Sequence, residues 1–187
     1  MYPLQPTHLS RYISWKKSRI SPNVKHFFYT SWEDALWDVL KNFSVAQNSF
    51  ILLPEFFCGD VVQNMQRHGL QCVFYPMDKN FQTDPRVFAE LLQKHKPQIV
   101  LIFHAVGITN ALFSQFSVWK DSLPSSCILL EDSVHRLVHP EKIHLLTPFH
   151  IVIDSLRKVS PLPGSNLFMA NSLSFQQATL SATRKYR

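Results

Sequence analysis

No two of the three cysteines, Cys58, Cys72 and Cys127, form a CxxC pair, and each lies in or beside an apolar run. That excludes a zinc framework built on cysteine pairs, and the three read as reduced core thiols of a cytoplasmic protein. Long apolar runs are missing as well: no stretch approaches the roughly 20 residues that span a bilayer. The opening Met1-Tyr2-Pro3-Leu4-Gln5-Pro6 also lacks the charged-then-apolar order of a secretion signal. Acids are absent from residues 1–25, which hold Arg11, Lys16, Lys17, Arg19 and Lys25, and Arg184, Lys185 and Arg187 close the chain. With those eight cations set aside, eleven remain against thirteen acids, so the formal charge of +6 belongs to the two ends. Basic residues confined to the ends read as solvated runs, and neither nucleic acid nor a membrane is expected as a partner.

What is present is a core. Of the 187 residues 45% are apolar, enough for one domain. Residues 1–25 read as a basic N-terminal arm, 26–173 as the folded domain, and 174–187 as a helical or frayed tail. Trp32, Ala35, Leu36, Val39, Leu40 and Phe43 fall at helical spacing behind a capping box of Ser31 and Asp34, which predicts a helix over 31–43. Phe50 to Leu53, stopped by Pro54, predicts a buried strand followed by the aromatic loop Glu55-Phe56-Phe57. A helix over 58–68 ending at Gly69, a strand over 71–75 and a helix over 85–95 behind Asp84-Pro85 follow. The run 98–103 is apolar on both faces, as a central parallel strand is. A short helix over 114–122, strands near 126–130 and 149–153, and a return strand over 166–170 complete the series. Strands alternating with helices predict an α/β protein, a three-layer sandwich around a mostly parallel sheet.

In such sheets ligands sit beyond the carboxyl ends of the strands. Those ends offer Phe56 and Phe57, His104, the acid pair Glu131-Asp132, and the run Asp154-Ser155-Leu156-Arg157-Lys158. Lys158 is placed on a constrained loop, because Pro161, Pro163 and Gly164 forbid a long helix. A buried lysine loses solvation, its pKa falls, and its neutral amine can form an imine with an aldehyde. Pyridoxal phosphate (PLP) supplies such an aldehyde, and a carboxylate such as Asp132 on its ring nitrogen keeps that nitrogen protonated. Ser155 is placed to donate to the phosphate, His135 to reach the phenolic oxygen, and Phe56 or Phe57 to stack on the ring. Plainer roles stay open: Glu131 and Asp132 as turn caps, His104 as a satisfied core histidine, the two phenylalanines as core. His135 and His139 lie one helical turn apart, but Pro140 and the lack of a cysteine partner argue against a metal site, and none is expected.

In order along the chain, Ala35-Leu36, Leu52-Leu53-Pro54 with Phe56-Phe57-Cys58, His104-Ala105-Val106-Gly107, Glu131-Asp132-Ser133-Val134-His135 and Ser155-Leu156-Arg157-Lys158 resemble the DegT-like sugar aminotransferases, a family of fold-type-I PLP enzymes. The resemblance runs from about Phe27 to Ala170. It implies the PLP-transferase large domain truncated before the family's small domain, with Lys158 as the catalytic imine former. It also implies Asp132, His135, Ser155, Ser31, Phe56, Phe57 and His104 as cofactor contacts, a homodimer, and an amino donor and a keto-sugar nucleotide as small-molecule substrates. The sequence departs from the pattern where the family has a glycine and a phosphate-binding serine or threonine: Trp32 and Glu33 stand there, with Thr30 or Ser31 as replacements only if the loop shifts. Two readings follow: a PLP-dependent aminotransferase-like enzyme, or a catalytically impaired or incomplete domain of that fold serving as a binding or structural partner.

Overall fold

A computed structural model describes residues 20–178 of the chain. Seven strands form one sheet: β1 (Val24–Tyr29), β2 (Phe50–Pro54), β3 (Gln71–Tyr75), β4 (Ile99–Phe103), β5 (Ile128–Asp132), β6 (His150–Ile153) and β7 (Ser165–Ala170). Their spatial order is β1-β7-β6-β5-β4-β2-β3. The pairs β2–β3, β2–β4, β4–β5 and β5–β6 are parallel, and β7 alone runs against its neighbours β6 and β1. The interleaved helices are α1 (Trp32–Asn42), α2 (Gly59–Arg67), α3 (Pro85–His95), and the single turns α4 (Phe116–Trp119) and α5 (Leu156–Val159).

The three layers follow from parity along the strands. Ile51 and Leu53, Ile99 and Leu101, and Ile128 and Leu130 face one side, where Ala35, Leu36 and Val39 of α1 and Met65 of α2 close over them. Leu52, Val100, Ile102 and Leu129 face the other side and pack on Phe88 and Leu92 of α3 and on Trp119. Side chains of period two and helices on both faces account for the wholly apolar reading of β4, all five residues of which are buried. Leu36 is fully buried between α1 and the sheet, so cutting it to alanine would cost about 2–5 kcal/mol.

Helix α1 begins as its sequence predicts: the Ser31 Oγ accepts from the Asp34 N–H at 3.1 Å. Asp84 caps α3 in the same manner, with Pro85 at the first helical position.

Several expectations are corrected. β1 starts at Val24, inside the segment read as an arm, and it was not predicted as a strand; residues 1–19 lie outside the described part. The helix expected over 114–122 is one α turn followed by a 3-10 turn over Lys120–Ser122. Lys158 is on a one-turn helix, not a loop. Of the tail, residues 174–178 are irregular, with Phe175 packed on Phe27 and Phe43 and Gln176 bonded to Asn42; 179–187 lie outside the described residues. Cys58 is exposed rather than in the core, Cys72 is half-buried, and Cys127 is buried.

Candidate functional site

The carboxyl ends of β1, β2, β4, β5 and β6, with the start of the antiparallel β7, open onto one cleft of about 730 Å³. Thr30, Ser31, Trp32 and Glu33 come from the β1–α1 junction, Phe56 to Cys58 from the loop after β2, and Asp60 and Val61 from α2. Phe103 ends β4, Asp132 ends β5, and Val134 and His135 follow it; Ser155, Arg157 and Lys158 follow β6. The cleft therefore brings together Lys158, Asp132, His135, Ser155, Ser31, Phe56 and Phe57.

Asp132 is 2% exposed. Its Oδ1 accepts the Val134 N–H at 3.0 Å. Burial pushes its carboxyl up to about 7, aided by the charge of Glu131 and opposed by the Val134 N–H. It is thus an acid held in an apolar setting and turned toward a cleft.

His135 is anchored from behind. Its Nδ1 accepts the Val106 N–H at 3.2 Å, so the neutral ring carries its proton on Nε2. Burial and the nearby positive charge of Lys158 lower its pKa. Its ring lies 5.2 Å from that of Phe103, which Phe57 meets edge-on at 5.5 Å. Phe57 also meets Trp32 edge-on, whereas Phe56 is half exposed and leans on Phe81.

Ser155 is buried, but Lys158 is exposed at the mouth of the cleft, not buried as expected. The Leu156 N–H bonded to the Gly164 carbonyl at 2.9 Å holds the α5 turn against the start of β7. Asp154 points elsewhere: its carboxylate accepts the Asn166 N–H at 2.7 Å.

His104 does not line the cleft. It follows Phe103 on β4, so parity turns it to the opposite face, where it is fully buried. Its Nε2 lies 2.9 Å from the Glu131 Oε1, and the His150 Nε2 lies 3.1 Å from Oε2. The Nδ1 atoms of both rings accept backbone N–H groups, from Asn110 at 3.1 Å and Leu146 at 3.0 Å. Both neutral rings therefore donate from Nε2 to a carboxylate. Burial alone would raise the Glu131 pKa, but these two donors hold it below the usual carboxylate range. Burial lowers His104, and the Glu131 charge only partly restores it. Arg136 approaches the pair from the surface, 3.6 Å from Glu131. The plain reading of His104 is the one the structure adopts.

Arg157, Cys58 and Asp60 also line the cleft without having been singled out from the sequence. Arg157 had a signal, since it precedes Lys158 in the same turn; the other two had only their place after an aromatic strand end. His139 pairs loosely with Glu141 at 3.6 Å, and among the described residues no group of three or more His, Cys, Asp or Glu is placed to hold a metal ion. Nor is any described helix long and apolar enough to cross a membrane.

Neither a family model nor a curated protein matches the sequence. Solved structures do match the fold. 3-Amino-5-hydroxybenzoic acid synthase superposes with a TM-score of 0.61 at 18% identity, over 79% of this chain and 38% of that one. PseC of Helicobacter pylori, an aminotransferase of pseudoaminic acid biosynthesis, gives 0.61 at 17% identity over 79% and 40%. Histidinol-phosphate aminotransferase of Sinorhizobium meliloti, solved with pyridoxal 5'-phosphate, gives 0.60 at 12% identity over 77% and 42%. The fold is that of these transferases, and the chain spans about 40% of their length.

Proposed function

We propose that the cleft holds a pyridoxal-type cofactor and that the protein is aminotransferase-like, moving an amino group from an amino acid to a keto-sugar nucleotide. The observation that carries this reading is the pairing, in one cleft at the carboxyl ends of the strands, of a buried carboxyl, Asp132, with a lysine, Lys158. The ring end fits the group: the donors and acceptors present are those a protonated ring nitrogen, a phenolic oxygen and an aldehyde require. At the α1 end, carboxylates stand where a phosphate would need donors.

Bound there, the cofactor would supply an aldehyde and a ring that withdraws electrons from the reacting carbon. Asp132 would hold the ring nitrogen's proton through Oδ2, since Oδ1 already takes the Val134 N–H. Its raised pKa means that the free carboxyl shares a proton near neutrality, and a cation brought against it favours the ionised form. His135 would donate its Nε2 proton to the phenolic oxygen. Phe103 and Phe57, which line the cleft, would wall the ring and exclude water. Lys158 Nζ would be the amine offered to the aldehyde and, when free, the base nearest to move a proton at the substrate. Ser155 and Ser31 are the hydroxyls nearest to hand for the rest of the cofactor. Work as a homodimer in the cytoplasm belongs to the same proposal.

The test is the absorbance of the protein after addition of PLP, or of pyridoxal, and dialysis, with Lys158→Ala beside it. A band at roughly 410–430 nm, expected of a lysine-bound cofactor, in the wild type alone supports the reading; no retained band in either protein with either aldehyde sinks it. A second reading, a domain of this fold kept as a binding or structural partner, is favoured by one observation: the Thr30 and Ser31 hydroxyls are both bonded to Asp34.

A further inference from the structure

Two helices of more than two turns, α1 and α2, present their N-termini to the cleft, and such ends are where an anionic group of a ligand would be held. Both are already supplied with anions of the chain's own. The first turn of α1 contains Glu33 and Asp34, and that of α2 contains Asp60. Glu33 and Asp60 line the cleft, and Glu33 Oε1 is steadied there by the Asn64 side-chain amide at 3.3 Å. Asp34 takes up what would otherwise be anion donors: its Oδ2 accepts the Ser31 hydroxyl at 2.8 Å and the Thr30 hydroxyl as well. The same Ser31 oxygen accepts the Asp34 N–H at 3.1 Å. Both hydroxyls at this end of the cleft are thus turned back onto α1.

Ser155, Arg157 and Lys158 also line the cleft. Lys158 is committed to the aldehyde, and the four-residue α5 has no helix end of consequence to offer. The lining then offers one guanidinium against the two carboxylates of Glu33 and Asp60. A dianion entering the cleft would meet the like charge of Glu33 and Asp60 and would find the Thr30 and Ser31 hydroxyls already bonded to Asp34.

We propose that this cleft takes its aldehyde ligand without a phosphate: Glu33 lines its α1 end, Asp34 holds the hydroxyls there, and unphosphorylated pyridoxal binds at least as tightly as pyridoxal phosphate. The inference rests on the reading of the cleft as a pyridoxal-type site, and it concerns only which form of that ligand the chain accepts. The selection is electrostatic and local. Removing the two negative charges while keeping the shape restores affinity for the phosphate form and leaves the plain aldehyde almost untouched.

The experiment is calorimetric titration of the full chain with pyridoxal and with pyridoxal phosphate, repeated on Glu33→Gln, on Asp34→Asn and on the double variant, each checked for native unfolding temperature. Glu33→Gln loses only a single contact to Asn64, so it reports even where Asp34→Asn disturbs the start of α1. The wild type should bind pyridoxal as tightly as the phosphate or tighter, and the double variant should gain about tenfold or more for the phosphate with less than a twofold change for pyridoxal. A wild type that prefers the phosphate by tenfold, or variants that leave the ratio of the two affinities unchanged, overturns the inference and moves the phosphate to Ser155 and Arg157. Failure of every protein to bind either aldehyde overturns the cofactor reading itself, and the inference with it.

Discussion

Glu131 and Asp132 are consecutive on β5 and face opposite sides of the sheet: Glu131 is clamped between His104 and His150, while Asp132 ends the strand in the cleft. Two buried acids one residue apart would repel if both were bare. Here Glu131 is ionised and donated to by two histidines, and Asp132, in the cleft wall, offsets its burial by keeping its proton to higher pH. The difference is one of partners, since both side chains are almost equally enclosed.

Stability of the cofactor-free protein should therefore depend on Asp132 in a defined direction. A carboxyl whose folded pKa stands at about 7 against an ordinary 3.8 binds protons more tightly when folded. The stability it contributes is fully present below about pH 4 and is lost as pH rises through 7, by roughly 4 kcal/mol. Urea unfolding at pH 5 and pH 8 should show that the wild type loses more than Asp132→Asn does over this interval. Parallel loss in the two proteins would mean that another group titrates.

Breaking the clamp on the far face should be costly. Glu131→Gln replaces a carboxylate by an amide whose N–H₂ faces a histidine N–H, stranding a buried donor, and removing one partner from a buried charged network costs about 3–5 kcal/mol. Guanidinium unfolding at pH 7 should give a loss in that range, with the native circular dichroism retained at low denaturant. A loss below about 1 kcal/mol would show that the network has the weight of a surface pair.

Lys158→Ala should separate stability from chemistry. Lys158 is exposed on a single turn, and substitutions at such positions change stability by about 0.5 kcal/mol or less. The variant should melt with the wild type yet retain no cofactor band after dialysis. Retention of the band would move the reacting amine elsewhere.

Gly164 lines the cleft with a backbone conformation that side-chain-bearing residues rarely adopt. Its φ is +120°, and a Cβ there would lie 2.3 Å from the Phe28 Cζ. Gly164→Ala should destabilise by about 2–4 kcal/mol, the backbone strain and the collision adding. Adding Phe28→Ala removes the collision but not the strain, so the double variant should recover part of the loss over Phe28→Ala alone, as a double-mutant cycle in denaturant would show. Strict additivity would mean that Phe28 simply moves aside.

The elements of the fold were legible because their signals are local. The cap of Ser31 and the Asp84-Pro85 start set α1 and α3, and the apolar run of β4 marked a strand covered on both sides. β1 was not legible, since Val24-Lys25-His26-Phe27-Phe28-Tyr29 continues a basic segment and carries its polar residues on both faces. In the site, the acid and the lysine were found by their places at strand ends. Yet position at a strand end says nothing of which way a side chain turns, and His104 was assigned to the cleft from that position and from the resemblance of His104-Ala105-Val106-Gly107. Parity would have corrected it: Phe103 pairs with Asp132 and Ile102 with Glu131, so the residue after Phe103 must look away from the residue beside which Phe103 lies. The partnership of Glu131 with His150 had no signal in sequence, because it joins two strands through side chains that read separately as a cap and a strand start.

The pairing of β1 with β7 has a kinetic meaning. Val24 sits opposite Ala170 and Tyr29 opposite Ser165, so the first described strand finds its only neighbour at the last. The parallel core of β2 to β6 can assemble from contacts of much shorter reach, whereas β1 must wait for the β6–β7 pair before it has an edge to join. Thr30 and Ser31 join the end of β1 to the start of α1 at the rim of the cleft. β1 thus has the longest-range pairing in the sheet, and during refolding Asp132, at the end of the parallel β5, should become sheltered before β1 docks.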